Sequence, residues 1–179
     1  MNYKHQDILD FWFSSETKPK WFAKDVNFDQ EIIDKFESYY EAAKNGTLTT
    51  WDNSPLGTLA LVITLDQLPR NMFRGTVLSF ATDDLALAYT KKAIDKNFDA
   101  ELTKEQKQFL YMPLMHSENL EDQMLSVELF SQFSENNQFA IKHMEIIKRF
   151  GRFPHRNDIL SRESTDEEII FLSGPNSSF

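Results

Sequence analysis

Six arginines fall in two short stretches, Arg70 and Arg74 in one and Arg149, Arg152, Arg156 and Arg162 in the other, while thirteen lysines are scattered from Lys4 to Lys148. A solubilising role would not separate the two residue types. Arginine is favoured where a planar fork must hold a carboxylate or a phosphate, so the partition points to geometry rather than to charge alone. In the first stretch, LDQLPRNMFRG at 65–75, Asp66 falls at a helix end, where the negative pole of the helix calls for a cation or hydrogen-bond donors. Arg70 or Arg74 can supply them, either as a pair that fixes a helix corner or with Arg70, Asn71 and Arg74 facing a ligand. In the second, RFGRFPHRNDILSRES at 149–164, the four arginines with His155 and Asn157 oppose only Asp158 and Glu163, a local balance of +2. Donors gathered at a helix boundary suit a small anion held by Arg152, Arg156 and Asn157; helix caps and ion pairs use the same residues structurally.

A third polar stretch, YMPLMHSENLEDQ at 111–123, places His116, Glu118, Asp122 and Gln123 between apolar runs. His116 or His155 is the acid–base candidate, with Glu118 as its orienting carboxylate. Residues 116 and 118 do not share a helical face, so a loop has to bring them together. A metal set of His116, His143 and His155 is the weaker alternative, since no His-x-x-x-His pattern occurs and His143 repeats at helical spacing with Phe139, Ile146, Ile147 and Phe150, the pattern of a hydrogen-bonded core residue. No metal and no cofactor is therefore assigned. The five glycines are isolated, so no phosphate-cradling loop is present, and no nucleophile-elbow pattern surrounds a serine.

The chain that must position these groups has 179 residues, about one domain, with 24 aromatic residues and no cysteine. The lack of cysteine excludes disulfides, thiolate metal sites and a cysteine nucleophile. A net charge of −9 argues against nucleic acid and anionic membrane as general partners. The longest apolar stretch, near 58–65, is too short to span a bilayer, and Asp7 and Asp10 interrupt the start before an apolar leader could form, so a cytoplasmic protein is expected.

Periodicity is helical almost throughout. Helices are expected over His5–Phe13; from Asn27 or Asp29 to a stop at Gly46; from Ser54-Pro55, with an apolar circumference that places that helix at the centre, to a stop or kink before Pro69; from Thr82 to about Lys96; from a Thr103/Gln106 capping box to an interruption at Pro113; over Leu120–Phe133; over Gln138–Phe150; and after a second capping box at Ser164/Glu167. About eight helices with short links make an all-α fold of antiparallel hairpins, one domain over 1–172 with a loose tail over 173–179.

Taken together, LDQLPRNMFRGT with FATDD at 80–84, YMPLMHSENLEDQ and RFGRFPHRNDILSRES resemble the bacterial family called domain of unknown function 924, from ILDFWF at residue 8 to EEIIFL ending at 172. The resemblance implies a tetratricopeptide-like superhelical bundle and no activity. Where that family reads Leu-Gly-Arg, this chain has Leu160-Ser161-Arg162, so a turn built for glycine would strain Ser161. Three functions are then open: a pocket for a small anionic metabolite, an interaction module that clamps a peptide carboxylate, and polar staples that only specify packing. Whether the protein is an enzyme is left undecided by the residues.

Overall fold

Capping side chains set the helix boundaries in the computed structural model, which describes residues 2–132, 137–175 and 177. Helix α1 spans His5–Trp12. Helix α2 spans Val26–Lys44, a residue earlier than expected, because the Asp25 carboxylate accepts the N–H groups of Asn27 and Phe28. Gly46, at φ 73°, ends it. Ser54 caps α3, Pro55–Val62, which passes through a π-turn at Ile63–Gln67 into α4, Leu68–Met72. Then come α5, Asp83–Asp95; α6, Lys104–His116; α7, Leu120–Ser131; α8, Asn137–Phe150; and α9, Asp166–Leu172. Helices α3 and α4 form one rod around the π-turn, which leaves eight helical rods and no strand among the described residues.

The helix stops at neither proline. Leu68 keeps helical angles, φ −59° and ψ −43°, and the chain runs on through Pro69. In a regular helix Pro69 would clash with the Leu65 carbonyl and leave it without a donor. The π-turn widens the helix at that point, and the Thr82 hydroxyl donates to Leu65 O at 2.6 Å. That contact also explains why Thr82 precedes α5 without capping it through its side chain. Helix α6 also continues past Pro113, and in the turn before it the Thr90 hydroxyl donates to the Leu110 carbonyl at 2.8 Å. The first capping box forms at Thr103 and Gln106 as expected. The second lies one residue on, at Thr165 and Glu168, which frees the Ser164 hydroxyl to accept from Asn157 at 3.0 Å. Ser161 sits at φ 53°, in the left-handed region that its Leu-Ser-Arg context warned of. The expected end of α7 at Phe133, and residues 176, 178 and 179 of the expected tail, lie outside the described residues.

Gly57 to Gln67 are all buried, so α3 and the π-turn form the centre of the fold. Helices α1, α5 and α6 pack on α3, α2 packs on α4, and α6, α7 and α8 pack on their chain neighbours as antiparallel hairpins. At one end Trp12 is fully buried with its ring edge-on to Phe109 at 5.5 Å, and Trp21 donates its indole N–H to the Trp12 carbonyl at 2.9 Å. Ile146, Ile147 and Phe153 form a smaller second cluster, with Phe150 and Phe171 against it. No helix among the described residues is long and apolar enough to cross a membrane.

Candidate functional site

The π-turn sets a carboxylate at the centre of the molecule. Asp66 is fully buried, and its Oδ1 faces His116 Nδ1 at 2.7 Å and Arg70 Nη1 at 3.2 Å, while Gln67 Nε2 donates to Oδ2 at 2.6 Å. The Arg70 guanidinium also donates to the Asp66 carbonyl. Burial would push the Asp66 carboxyl up, but Arg70 and His116 outweigh it and hold the group well below the usual carboxylate range. Burial is also the main influence on His116, with the Arg70 charge second, and both push its pKa down against the pull of Asp66. His116 is therefore neutral at pH 7. Since an ionised carboxylate only accepts, Nδ1 carries the proton, and Nε2 is left with its lone pair.

A chain of charges extends outward from this dyad. The Arg70 fork holds Asp83, on the first turn of α5, at 2.9 and 3.0 Å. Asp83 also faces Arg156 Nη1 at 3.3 Å, and Arg156 Nη2 donates to the His116 carbonyl at 2.9 Å, capping the end of α6. The Arg156 guanidinium lies between two rings, 4.6 Å from the centroid of Phe80 and 4.8 Å from that of Phe153.

Glu118, the carboxylate expected beside His116, has a different partner. It grips the Arg162 fork at 2.7 and 3.0 Å and accepts the Phe153 N–H at 2.7 Å. Burial opposes but does not prevent a lowered Glu118 pKa, because Arg162 and that N–H hold the charged form. Asp66 occupies the orienting position beside His116. Gln123, on α7, donates to the carbonyls of Met115 and Ser117 at 2.7 Å each and so fixes the loop after His116.

Phe80, Asp84, Pro113, His116, Arg156 and Leu160 help line a cleft of about 250 Å³ over this network. His116 Nε2 has no hydrogen-bond partner among the described residues. A larger hollow of about 380 Å³ between α8 and α9, lined by Glu145, Arg149, Phe150 and Phe171, shares no residue with this network. The smaller cleft is the candidate because it alone of the two meets the oriented histidine.

The three polar stretches of the sequence thus converge, but not all their residues do. Arg70, Arg156, His116 and Glu118 come together. Asn71 and Arg74 instead hold Asp29 of α2, at 2.8 Å and at 2.7 Å twice. Arg152 holds Glu168 at 2.7 Å through both arms, with Asn157 at 3.3 Å from the same carboxylate, which ties α9 down. Arg152 is the main reason the Glu168 carboxyl falls to about 2. His155 is half-buried against Phe153, with ring centroids 5.5 Å apart, and burial, then the Arg156 charge, lowers its pKa to about 4. His143 is the core histidine its spacing suggested, 2.7 Å from the Phe139 carbonyl. Among the described residues no group of three histidines or carboxylates is placed to hold a metal ion.

Nothing local in the sequence marks Asp83 and Phe80 as part of the site. Asp83 was visible only as a helix start. The signal that could have found it is the general rule that a buried arginine needs a carboxylate.

A solved structure of a protein of unknown function from Agrobacterium tumefaciens is similar to this chain, with 39% identity, a TM-score of 0.91, and 95% of this chain and 97% of that one covered. No curated protein matches the chain. The model of a family described as "Bacterial protein of unknown function (DUF924)" matches residues 8–176. With nearly its whole length inside that match, the chain belongs to the DUF924 family.

Proposed function

We propose that the protein binds a small polar metabolite in the cleft beside His116, and that His116 Nε2 is the group that exchanges a proton or hydrogen bond with it. One observation supports this above the others: a fully buried Asp66 fixes His116 through Nδ1 at 2.7 Å and leaves Nε2 unpartnered at the cleft. A neutral imidazole oriented by a buried carboxylate is the arrangement of a general base. Of the arginines suggested by the sequence for an anion, Arg156 is the one that lines this cleft, and each of the six already faces a carboxylate: Arg70 and Arg156 share Asp83, and Arg74, Arg149, Arg152 and Arg162 face Asp29, Glu167, Glu168 and Glu118. An anion would have to compete with Asp83 for Arg156. A cleft of about 250 Å³ suits a small molecule better than an extended peptide, which places the peptide-clamp reading second.

The test is a thermal-shift screen of polar metabolites against wild type and His116→Asn. Asparagine keeps a donor for Asp66 and lacks the Nε2 acceptor. A ligand at one hundred times its Kd adds about 2.7 kcal/mol, roughly 5–11 °C for a chain of this size. At least one hit that vanishes in the variant is expected. No hit, or hits of equal size in both proteins, would overturn the proposal.

A further inference from the structure

We infer that the ligand of this cleft carries a cationic amine, received by the Asp84 carboxylate and by His116 Nε2. The inference rests on the small-molecule reading above and adds the charge class of the ligand. Around the cleft, the carboxylates of Asp66, Asp83, Asp84 and Glu118 stand against the guanidiniums of Arg70, Arg156 and Arg162, with His116 neutral, so one negative charge is left over. Its location is specific. Asp83 lies between two arginines, Glu118 is held by Arg162, and Asp66 is held by Arg70 and His116. Asp84 is exposed on the first turn of α5, lines the cleft, and has no ion pair or hydrogen bond among the described residues. The positive pole of the helix favours a carboxylate there without a counter-ion.

The unpartnered side-chain groups that the cleft leaves open, the Asp84 carboxylate and His116 Nε2, are therefore acceptors; the Arg156 Nε–H also lacks a partner but is buried. Nε2 bears a lone pair because Nδ1 has spent the proton on Asp66. An ammonium supplies three donors and a positive charge, which answers both groups at once. Phe80, Leu87, Pro113 and Leu160 complete the wall and suit the hydrocarbon part of such a molecule. An anion meets the reverse conditions: it faces Asp84, must compete with Asp83 and the His116 carbonyl for the Arg156 fork, whose Nε–H is buried, and approaches a protein of net charge −9.

Three probes of one shape separate the charge classes: benzylamine, benzyl alcohol and benzoate, titrated at low salt and followed by the backbone amides of residues 84 and 117 and the imidazole of His116. Benzylamine is expected to move all three sets of signals and to bind tighter than the other two. Asp84→Asn should weaken benzylamine up to about fivefold, the scale of an exposed ion pair, and leave benzyl alcohol unchanged. Benzoate or benzyl alcohol matching benzylamine at these signals would overturn the amine while keeping the site, as would equal benzylamine affinity in the variant. No probe moving the His116 signals would overturn the small-molecule reading itself.

Discussion

Mild acid should destabilise this protein well before its carboxylates begin to titrate. His143 and His155 are held neutral inside the fold, at about 3 and about 4, chiefly by burial and then, for His155, by the Arg156 charge. In the unfolded chain both return to about 6.5. Because the folded values lie below the unfolded ones, the unfolded chain binds protons that the folded chain refuses. The stabilisation is complete above about pH 6.5 and drains away as the pH falls toward the folded values. From pH 7 to pH 5 each histidine removes just under 2 kcal/mol, so the pair costs about 3–4 kcal/mol out of a typical 5–15 kcal/mol. His116 is shifted in the same direction and adds to the loss. The lowered carboxylates Asp66, Glu118 and Glu168 lose their contribution only below about pH 4–5, so they are silent in this window. The assay is urea unfolding at pH 7 and pH 5, at fixed ionic strength, followed by tryptophan fluorescence, with a histidine NMR titration of the folded protein alongside. His155→Gln should flatten the pH dependence by roughly 2 kcal/mol whatever it does to stability at pH 7. A difference of less than about 1 kcal/mol between the two pH values, or imidazole signals of His143 and His155 that titrate near 6.5, would refute the reasoning.

Two substitutions test the backbone reading. Ser161→Gly relieves a left-handed residue at φ 53°; the relief of about 1–2 kcal/mol less about 0.5–1 kcal/mol of added chain entropy leaves a gain near 0.5–1 kcal/mol, visible as about 1–4 °C in Tm. Gly57→Ala acts the other way. Its Cβ would lie 2.1 Å from the Trp51 carbonyl oxygen, so the 3₁₀ turn at Thr49–Asn53 must move, and a clash of about 3 kcal/mol exceeds the roughly 1 kcal/mol gained in helix propensity. Calorimetry should show Tm falling by about 4–8 °C; an unchanged Tm would mean that the turn yields freely.

Local sequence set the class of fold and most helix boundaries. Apolar residues at helical spacing, the Ser54 cap, the Thr103/Gln106 box and glycines 46 and 151 act within a turn or two of where they stand, so local physics was enough to place them. The partition of arginine and lysine also marked the stretches that meet. What the sequence could not settle was which carboxylate each arginine takes. Arg70 and Arg74 stand four residues apart and look alike, yet the first turns to Asp66 and Asp83 and the second to Asp29, because Arg70 lies on α4 and Arg74 lies in the turn beyond its end. The two prolines misled for a related reason. For Pro69 a hydroxyl from a distant part of the chain, that of Thr82, meets the Leu65 carbonyl that the proline leaves without a donor, and beside Pro113 the Thr90 hydroxyl of α5 bonds the Leu110 carbonyl; neither contact is local in sequence. Asp66 lies 50 residues from His116, and only the packing of α6 against the π-turn makes the two a dyad. Spacing along the chain fixes what neighbours do. The partners of a buried charge are fixed by which helices share the core, and that is decided only when the whole chain folds.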